Sequence, residues 1–284
     1  MIDVNTQLCG VIGNPVGHSL SPAIHNAGYA AQGLNFVYLA FEVSDVKSVL
    51  DGMRAMPNFR GLSVTIPHKL AVIEHLDEID PLAEKIGSVN TITNDGGKLI
   101  GSSTDGPGTL MAFEDAGFNL SGKRVLMLGA GGAVRAVAFA MAEVVGDGCV
   151  TLAGRNLERV EPLAQELQSK TDARIHVGHL VNEIATLVPQ HDVIVQGTPI
   201  GMHPESVGQS CVPEGLLRAG HVVFDMVYRP LRTKLIEDAE AAGCQVILGS
   251  EMLVQQAAVQ YGTWTGMDAP VDVMRKAFLA GLTE

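Results

Sequence analysis

The chain has 284 residues, 46% of them apolar, with 19 basic against 31 acidic side chains and a formal net charge of −12. That length allows one large domain or two of ordinary size, and the acidic balance argues against nucleic acid and other polyphosphate partners, which need clustered Lys and Arg. Cys9, Cys149, Cys211 and Cys244 form no CxxC pair, and MIDVNTQLCGVIGNP has no basic segment leading an apolar one; both suit a cytoplasmic protein with reduced thiols and no signal peptide.

In chain order, LCGVIG, FVYLAFEV and GLSVTI are predicted strands. SPAIHNAGYAAQGL is a predicted helix with Ser21 at the N-cap and Pro22 at the first helical position. SVTIPHK puts Thr65 and Lys69 at a strand-to-helix junction, with Pro67 starting the helix. VNTITNDGGKLIG reads as a hairpin turning on Asn94-Asp95-Gly96-Gly97. From Lys123 a second cycle begins: RVLMLG, CVTLAG, ARIHVG, DVIVQG, HVVFDMV and QVILG are predicted strands, and LERVEPLAQELQSK a helix. The most apolar stretch, residues 124–145, is broken by Gly129, Gly131, Gly132, Arg135 and Glu143. A membrane helix needs about 20 apolar residues without such breaks, so no membrane association is expected.

Strands alternating with helical patterns predict an α/β fold with parallel strands. The tail, EMLVQQAAVQYGTWTG and VDVMRKAFLAGL, is helical with no strands of its own, and the sheet of the first domain is the surface it should cover. Residues 1–105 plus 249–284 are therefore expected to form one domain and residues 106–248 the other, with the active site in the cleft between them.

RVLMLGAGGAVRAVAFAMAEV is a strand, a glycine-rich turn and a helix in succession. Gly129 suits a tight turn, and Gly131, with Ala130, Gly132 and Ala133 around it, lets backbone N–H groups reach a pyrophosphate at the helix N-terminus. A purely structural turn is the alternative. The third glycine of the general dinucleotide pattern is Val134 here. The next strand ends in Gly154-Arg155-Asn156-Leu157-Glu158-Arg159, without the carboxylate that takes the ribose hydroxyl in NAD enzymes. Two guanidinium groups, Arg155 and Arg159, suit a phosphate instead and favour NADP, although most arginines simply sit at the surface.

Ser19 and Ser21, just before a helix, could bind a carboxylate without a formal positive charge. His18 and His25 belong to no metal-ligand pattern, and no metal is expected. Taken alone, Lys69 is an ordinary solvated lysine and Asp105-Gly106 an ordinary turn.

Together, GNPVGHSLSPAIHN, SVTIPHK, GSVNT, STDG, GAGGA, TPIGM, YRPLRTKL and GSEMLVQQA resemble, in order and spacing, the motifs of the shikimate dehydrogenase family over nearly the whole chain. The resemblance implies a substrate domain and a Rossmann-like cofactor domain. It also implies reversible reduction of 3-dehydroshikimate to shikimate with NADP, in aromatic amino-acid biosynthesis. By matching position, Ser19 and Ser21 would hold the ring carboxylate with help from Tyr228. Thr65, Asn90, Asp105 and Gln256 would bind ring hydroxyls, and Lys69 with Asp105 would be the catalytic acid–base pair. Thr198, Met226, Gly249 and Met252 would contact the cofactor, with Gly201, Met202 and Met252 lining the nicotinamide side; core packing is an equal alternative for Met202 and Met252.

Three positions depart from the family pattern: Ser63, Ser103 and Gln196 stand where asparagine is usual. The first two bear on ring specificity, so a quinate/shikimate dehydrogenase with relaxed ring and NAD/NADP use is a second expectation. A third, of another class, is a non-catalytic ligand sensor on the same fold. The expected partner is a small ring carboxylic acid, and a homodimer is left open.

Overall fold

The apolar runs become strands in two separate six-stranded sheets. The computed structural model describes residues 2–282, and the chain divides into two units, Met1–Gly108 with Val254–Glu284, and Thr109–Leu253.

The first sheet contains β1 (Gln7–Gly13), β2 (Phe36–Glu42), β3 (Phe59–Val64), β4 (Glu78–Ile79), β5 (Thr91–Asp95) and β6 (Lys98–Ser102), in the order β2-β1-β3-β5-β6-β4. β1 runs parallel to β2 and β3, whereas β5 is antiparallel to β3 and β6. The hairpin forms as expected: Asp95 pairs with Lys98, and Gly96 and Gly97 make the two-residue turn with φ of +61° and +97°, the conformation such turns require. Side chains alternate across β3. Leu62 and Val64 enter a core with Ile12, Leu50, Ile92 and Leu99, while Ser63 and Gly61 face Gln260 and Trp264 of α9 (Gly249–Thr265). The helical tail thus covers this sheet, as its lack of strands predicted. Trp264 is fully buried there and donates from Nε1 to the Ile92 carbonyl at 3.2 Å.

The second sheet contains β7 (Arg124–Leu128), β8 (Cys149–Gly154), β9 (Arg174–His179), β10 (Val193–Gln196), β11 (Val222–Asp225) and β12 (Gln245–Leu248). All its pairings are parallel, in the order β12-β11-β10-β7-β8-β9. The order reverses direction between β7 and β10. In such doubly wound sheets, ligands bind at the carboxyl ends of the strands flanking that switch point.

Three expectations need correction. Ser21 is the first residue of α1 (Ser21–Ala31) and not its N-cap; Leu20 occupies that position and makes no side-chain capping bond. Pro67 starts no helix. The carbonyls that would open one are bonded elsewhere, Ile66 to Asn14 N and Lys69 to Val89 N, so residues 66–72 form successive turns. The unit boundaries fall at 108/109 and 253/254, inside α4 (Asp105–Asp115) and α9. A division drawn from strands stops where the strands stop, whereas these helices run on.

Trp264→Ala empties a large buried site and removes a partner from the Ile92 carbonyl. It is expected to cost about 3–5 kcal/mol, measurable as a lower urea midpoint by circular dichroism.

Asp225, at the end of β11, is fully buried and accepts hydrogen bonds from Thr233 Oγ1 at 2.6 Å and Val227 N at 3.0 Å. Burial outweighs those bonds and raises its pKa from 3.8 to about 6. The fold holds this proton more tightly than the unfolded chain does. The resulting stabilisation is complete below about pH 4 and lost as pH rises through about 6, a change of about 3 kcal/mol. Unfolding free energies of Asp225→Asn between pH 4 and 7 should lack that decline; an identical decline in the variant would refute the assignment.

Candidate active site

Lys69 leaves the turn after β3, and Asp105 begins α4. Lys69 Nζ lies 2.5 Å from Asp105 Oδ2, with the two side chains 20% and 11% exposed. The pair is sheltered but not sealed. Asn90, immediately before β5, donates from Nδ2 to Asp105 Oδ1 at 2.8 Å and to Thr104 Oγ1 at 3.0 Å. Its Oδ1 accepts from Thr91 Oγ1 and Thr104 N, both at 2.8 Å. Asp105 therefore receives an ammonium on one oxygen and an amide on the other. An ammonium so held can stabilise a developing oxyanion or exchange a proton with it.

Gln256 of α9 joins this group, its Oε1 3.5 Å from Thr104 Oγ1. The approach depends on Gly108, where a Cβ would lie 2.5 Å from Gln256 N. Any larger residue at 108 would push α9 away from α4. Ser19 and Ser21 are neighbours at the start of α1, Ser19 Oγ accepting from Ser21 N at 3.3 Å. Thr65 N donates to the Ile12 carbonyl at 2.9 Å, which fixes the end of β3 beside β1. The structure thus brings Lys69, Asp105, Asn90 and Gln256 into one hydrogen-bonded group, and Ser19 and Ser21 into another. Tyr228 belongs to the second unit, on the segment after β11, and burial raises its phenol pKa.

The glycine-rich turn sits at the switch point. Gly129 has φ +113°, which accounts for glycine there. Gly131 and Gly132 do not need to be glycine for the fold: neither has a positive φ, and a Cβ at either would meet nothing within 4 Å. They are exposed, as is Ala133, and Ala130 is half-buried. Gly131 is the N-cap of α5 (Gly132–Val144) and offers no side-chain hydrogen bond, so the first N–H groups of this helix lack a side-chain cap. Open space and uncapped donors fit a pyrophosphate. The missing third glycine is explained too. A Cβ at Gly197 would lie 2.2 Å from Val134 Cγ2, so the close packing that the third glycine of the helix would allow is provided by glycine on the segment after β10.

Arg155 and Arg159 are both exposed and have no side-chain partner among the described residues. Asn156 separates them as the N-cap of α6 (Leu157–Lys170), accepting from Glu158 N at 2.9 Å. Arg155 therefore precedes the helix and Arg159 lies in its first turn. Gly154 is buried against Val160. Thr198 N donates to Gln196 Oε1 at 2.7 Å, and Gln196 Nε2 donates to the Thr198 and Ile200 carbonyls at 3.0 and 2.8 Å. Gln196 therefore shapes the loop after β10 with every side-chain polar atom bonded. Gly249 packs against the carbonyls of Asp225 and Met226. Met252 is buried and Met202 is 42% exposed, so core packing explains the first and not the second.

Ser63 does not stand free near the ring-binding residues. It accepts from Tyr38 OH at 2.6 Å and donates to Gln260 Oε1 at 2.8 Å. Ser103 is buried and makes no side-chain hydrogen bond among the described residues. Sequence reasoning missed Tyr38, Thr91, Thr104 and Gln260. One signal was available for the last: Gln256 and Gln260 are four apart on a helix and so share a face. Among the described residues no group of three or more His, Cys, Asp or Glu is placed to hold a metal, and no helix is long and apolar enough to cross a membrane.

Three family models match the chain: the shikimate dehydrogenase substrate binding domain over residues 11–92, shikimate / quinate 5-dehydrogenase over 111–207, and the shikimate 5'-dehydrogenase C-terminal domain over 249–277. The shikimate dehydrogenase (NADP(+)) of Moorella thermoacetica is 45% identical, covering 96% of this chain and 92% of that protein. A crystal structure of a shikimate dehydrogenase in complex with NADP+ is 39% identical with a TM-score of 0.93, covering 100% of this chain and 98% of the other. The shikimate 5-dehydrogenase of Listeria monocytogenes, solved with shikimate and NAD, is 36% identical with a TM-score of 0.91, covering 97% of each chain. Likeness of this degree over essentially the full length places the chain in the shikimate dehydrogenase family.

Proposed function

We propose that this protein reversibly reduces 3-dehydroshikimate to shikimate with NADPH, using Lys69 and Asp105 as the acid–base pair. The observation that carries the reading is the ion pair of 2.5 Å between Lys69 Nζ and Asp105 Oδ2, partly sheltered and braced by Asn90. Relatives named for this activity supply the substrate class. When bound, the nicotinamide supplies or accepts the hydride. The first unit then handles the proton. As the ring carbonyl is reduced, charge grows on its oxygen; Lys69 stabilises that charge and protonates the oxygen, and in reverse accepts the proton from the hydroxyl. Asp105 keeps the ammonium aimed. Ser19 and Ser21 hold the ring carboxylate, and Thr65, Asn90 and Gln256 bind ring hydroxyls. In the second unit, the N-terminus of α5 receives the pyrophosphate. Arg155 and Arg159 take the 2′-phosphate; their lack of a side-chain partner among the described residues supports this role.

A second reading, relaxed use of quinate and NAD, is favoured by Ser103. A hydroxyl with no hydrogen-bond partner among the described residues, where the family pattern has an amide, can change which ring substituents are accepted. Steady-state kcat/KM for shikimate and quinate with each cofactor separates the readings, since that ratio measures discrimination in the transition state.

Lys69→Ala is expected to lower kcat by about 10²–10⁴-fold while ring-acid binding stays measurable by calorimetry. Unchanged turnover would remove Lys69 from the chemistry, and a wild-type protein that binds ring acids but turns none over would be a sensor. Arg155→Ala with Arg159→Ala should raise KM for NADP by roughly 10–100-fold, the loss of one charge-assisted bond to the phosphate or more, and leave KM for NAD nearly unchanged. A parallel rise for both cofactors would count against 2′-phosphate recognition.

A further inference from the structure

We infer that Gln260 is a positioning residue of the ring-acid site: acting with Ser63, it supplies the amide that steers Thr91 and thereby Asn90 towards Asp105. The inference rests on the reading of Lys69 and Asp105 given above.

Six buried polar side chains form a continuous run: Tyr38, Ser63, Gln260, Thr91, Asn90 and Thr104. Its polarity follows from one group that has no proton to give. The Asn90 main-chain carbonyl accepts from Gln260 Nε2 at 3.4 Å, and the same nitrogen donates to Thr91 Oγ1 at 2.8 Å. Gln260 Oε1 therefore faces Ser63, which donates to it at 2.8 Å. A serine hydroxyl has a single proton, so Tyr38 OH must be the donor in its 2.6 Å contact with Ser63. On the other side, Thr91 Oγ1 already accepts from Gln260 and directs its proton to Asn90 Oδ1 at 2.8 Å. With Thr91 and the Thr104 N–H both on Oδ1, the Nδ2 end of Asn90 is turned to Asp105 Oδ1. The opposite arrangement would set an amide oxygen against a carboxylate.

Ser63 is the register partner of Thr91 across β3 and β5, but its hydroxyl is engaged by Tyr38 and Gln260. An asparagine there would bring an amide from β3, whereas in this chain the amide arrives from α9, four residues beyond Gln256. Ser63 and Gln260 thus act as one unit, and the departure at position 63 concerns the support of Asp105 and not ring contacts.

The test compares the wild type with Gln260→Met, which keeps the volume and is neutral, with Gln260→Ala, and with Gln260→Ala combined with Ser63→Asn. Thermal unfolding and NADP affinity establish that each variant is folded. Two readouts follow: shikimate oxidation, and the rate at which trace acetic anhydride labels Lys69, measured by peptide mass spectrometry. Gln260→Met and Gln260→Ala should lower kcat about tenfold, the loss of one buried hydrogen bond. KM for NADP should stay within about twofold, and Lys69 labelling should shift. Restoring the amide at position 63 should return kcat and labelling most of the way to wild type. Wild-type kcat and labelling in Gln260→Met, or no recovery in the double variant, would overturn the inference. Should the wild type turn over no ring acid, the functional reading falls, while Lys69 labelling still decides the positioning claim.

Discussion

Asp105 is the constraint around which the first unit is arranged. It begins α4, accepts Lys69 on one oxygen and Asn90 on the other, and is only 11% exposed. A carboxylate so enclosed is tolerable only with charge and hydrogen-bond compensation. Lys69 comes from the turn after β3, Asn90 from the start of the hairpin, and Gln256 from the tail helix. The first two meet at the Asp105 side chain, and Gln256 approaches the neighbouring Thr104. The turn carrying Lys69 does not open into a helix at Pro67, because the Ile66 and Lys69 carbonyls are bound by Asn14 N and Val89 N. That arrangement holds the lysine in place without regular secondary structure.

Support for Asp105 extends well beyond its immediate partners. The mixed sheet brings β5 against β3, and α9 lies across both. Close approach at Gly108 and burial of Trp264 fix α9 at two points along its length. Between them, Gln260 connects β3 to β5 by hydrogen bonds in place of apolar contact. Buried polar networks of this kind are stable only when every member is satisfied. The run from Tyr38 to Asp105 meets that condition.

The second unit uses a different means. Its parallel sheet needs no side-chain network to define a ligand site, since the reversal of strand order between β7 and β10 leaves backbone donors at the end of a strand. Gly129 makes the turn, Gly131 and Gly132 keep it open, and Gly197 takes over the packing task of the absent third glycine. Arg155 and Arg159 stand exposed beside that framework.

The sequence alone determined the strands other than the two-residue β4, the parallel second sheet, the hairpin at Gly96-Gly97 and the glycine-rich turn, because each depends on local periodicity or on a conformation only glycine adopts readily. It also marked Lys69 and Asp105, through the order of motifs and not through any local property, for neither stands out by itself. Tertiary structure decided the rest. It ended the expected helix at Pro67, removed Ser21 from the cap of α1, and carried α4 and α9 across the expected boundaries. It also joined Ser63, which departs from the family pattern, to Gln260, 197 residues away. A hydrogen bond between such distant residues leaves no trace in local pattern. It exists because a sheet and a helix, each legible separately, are packed face to face.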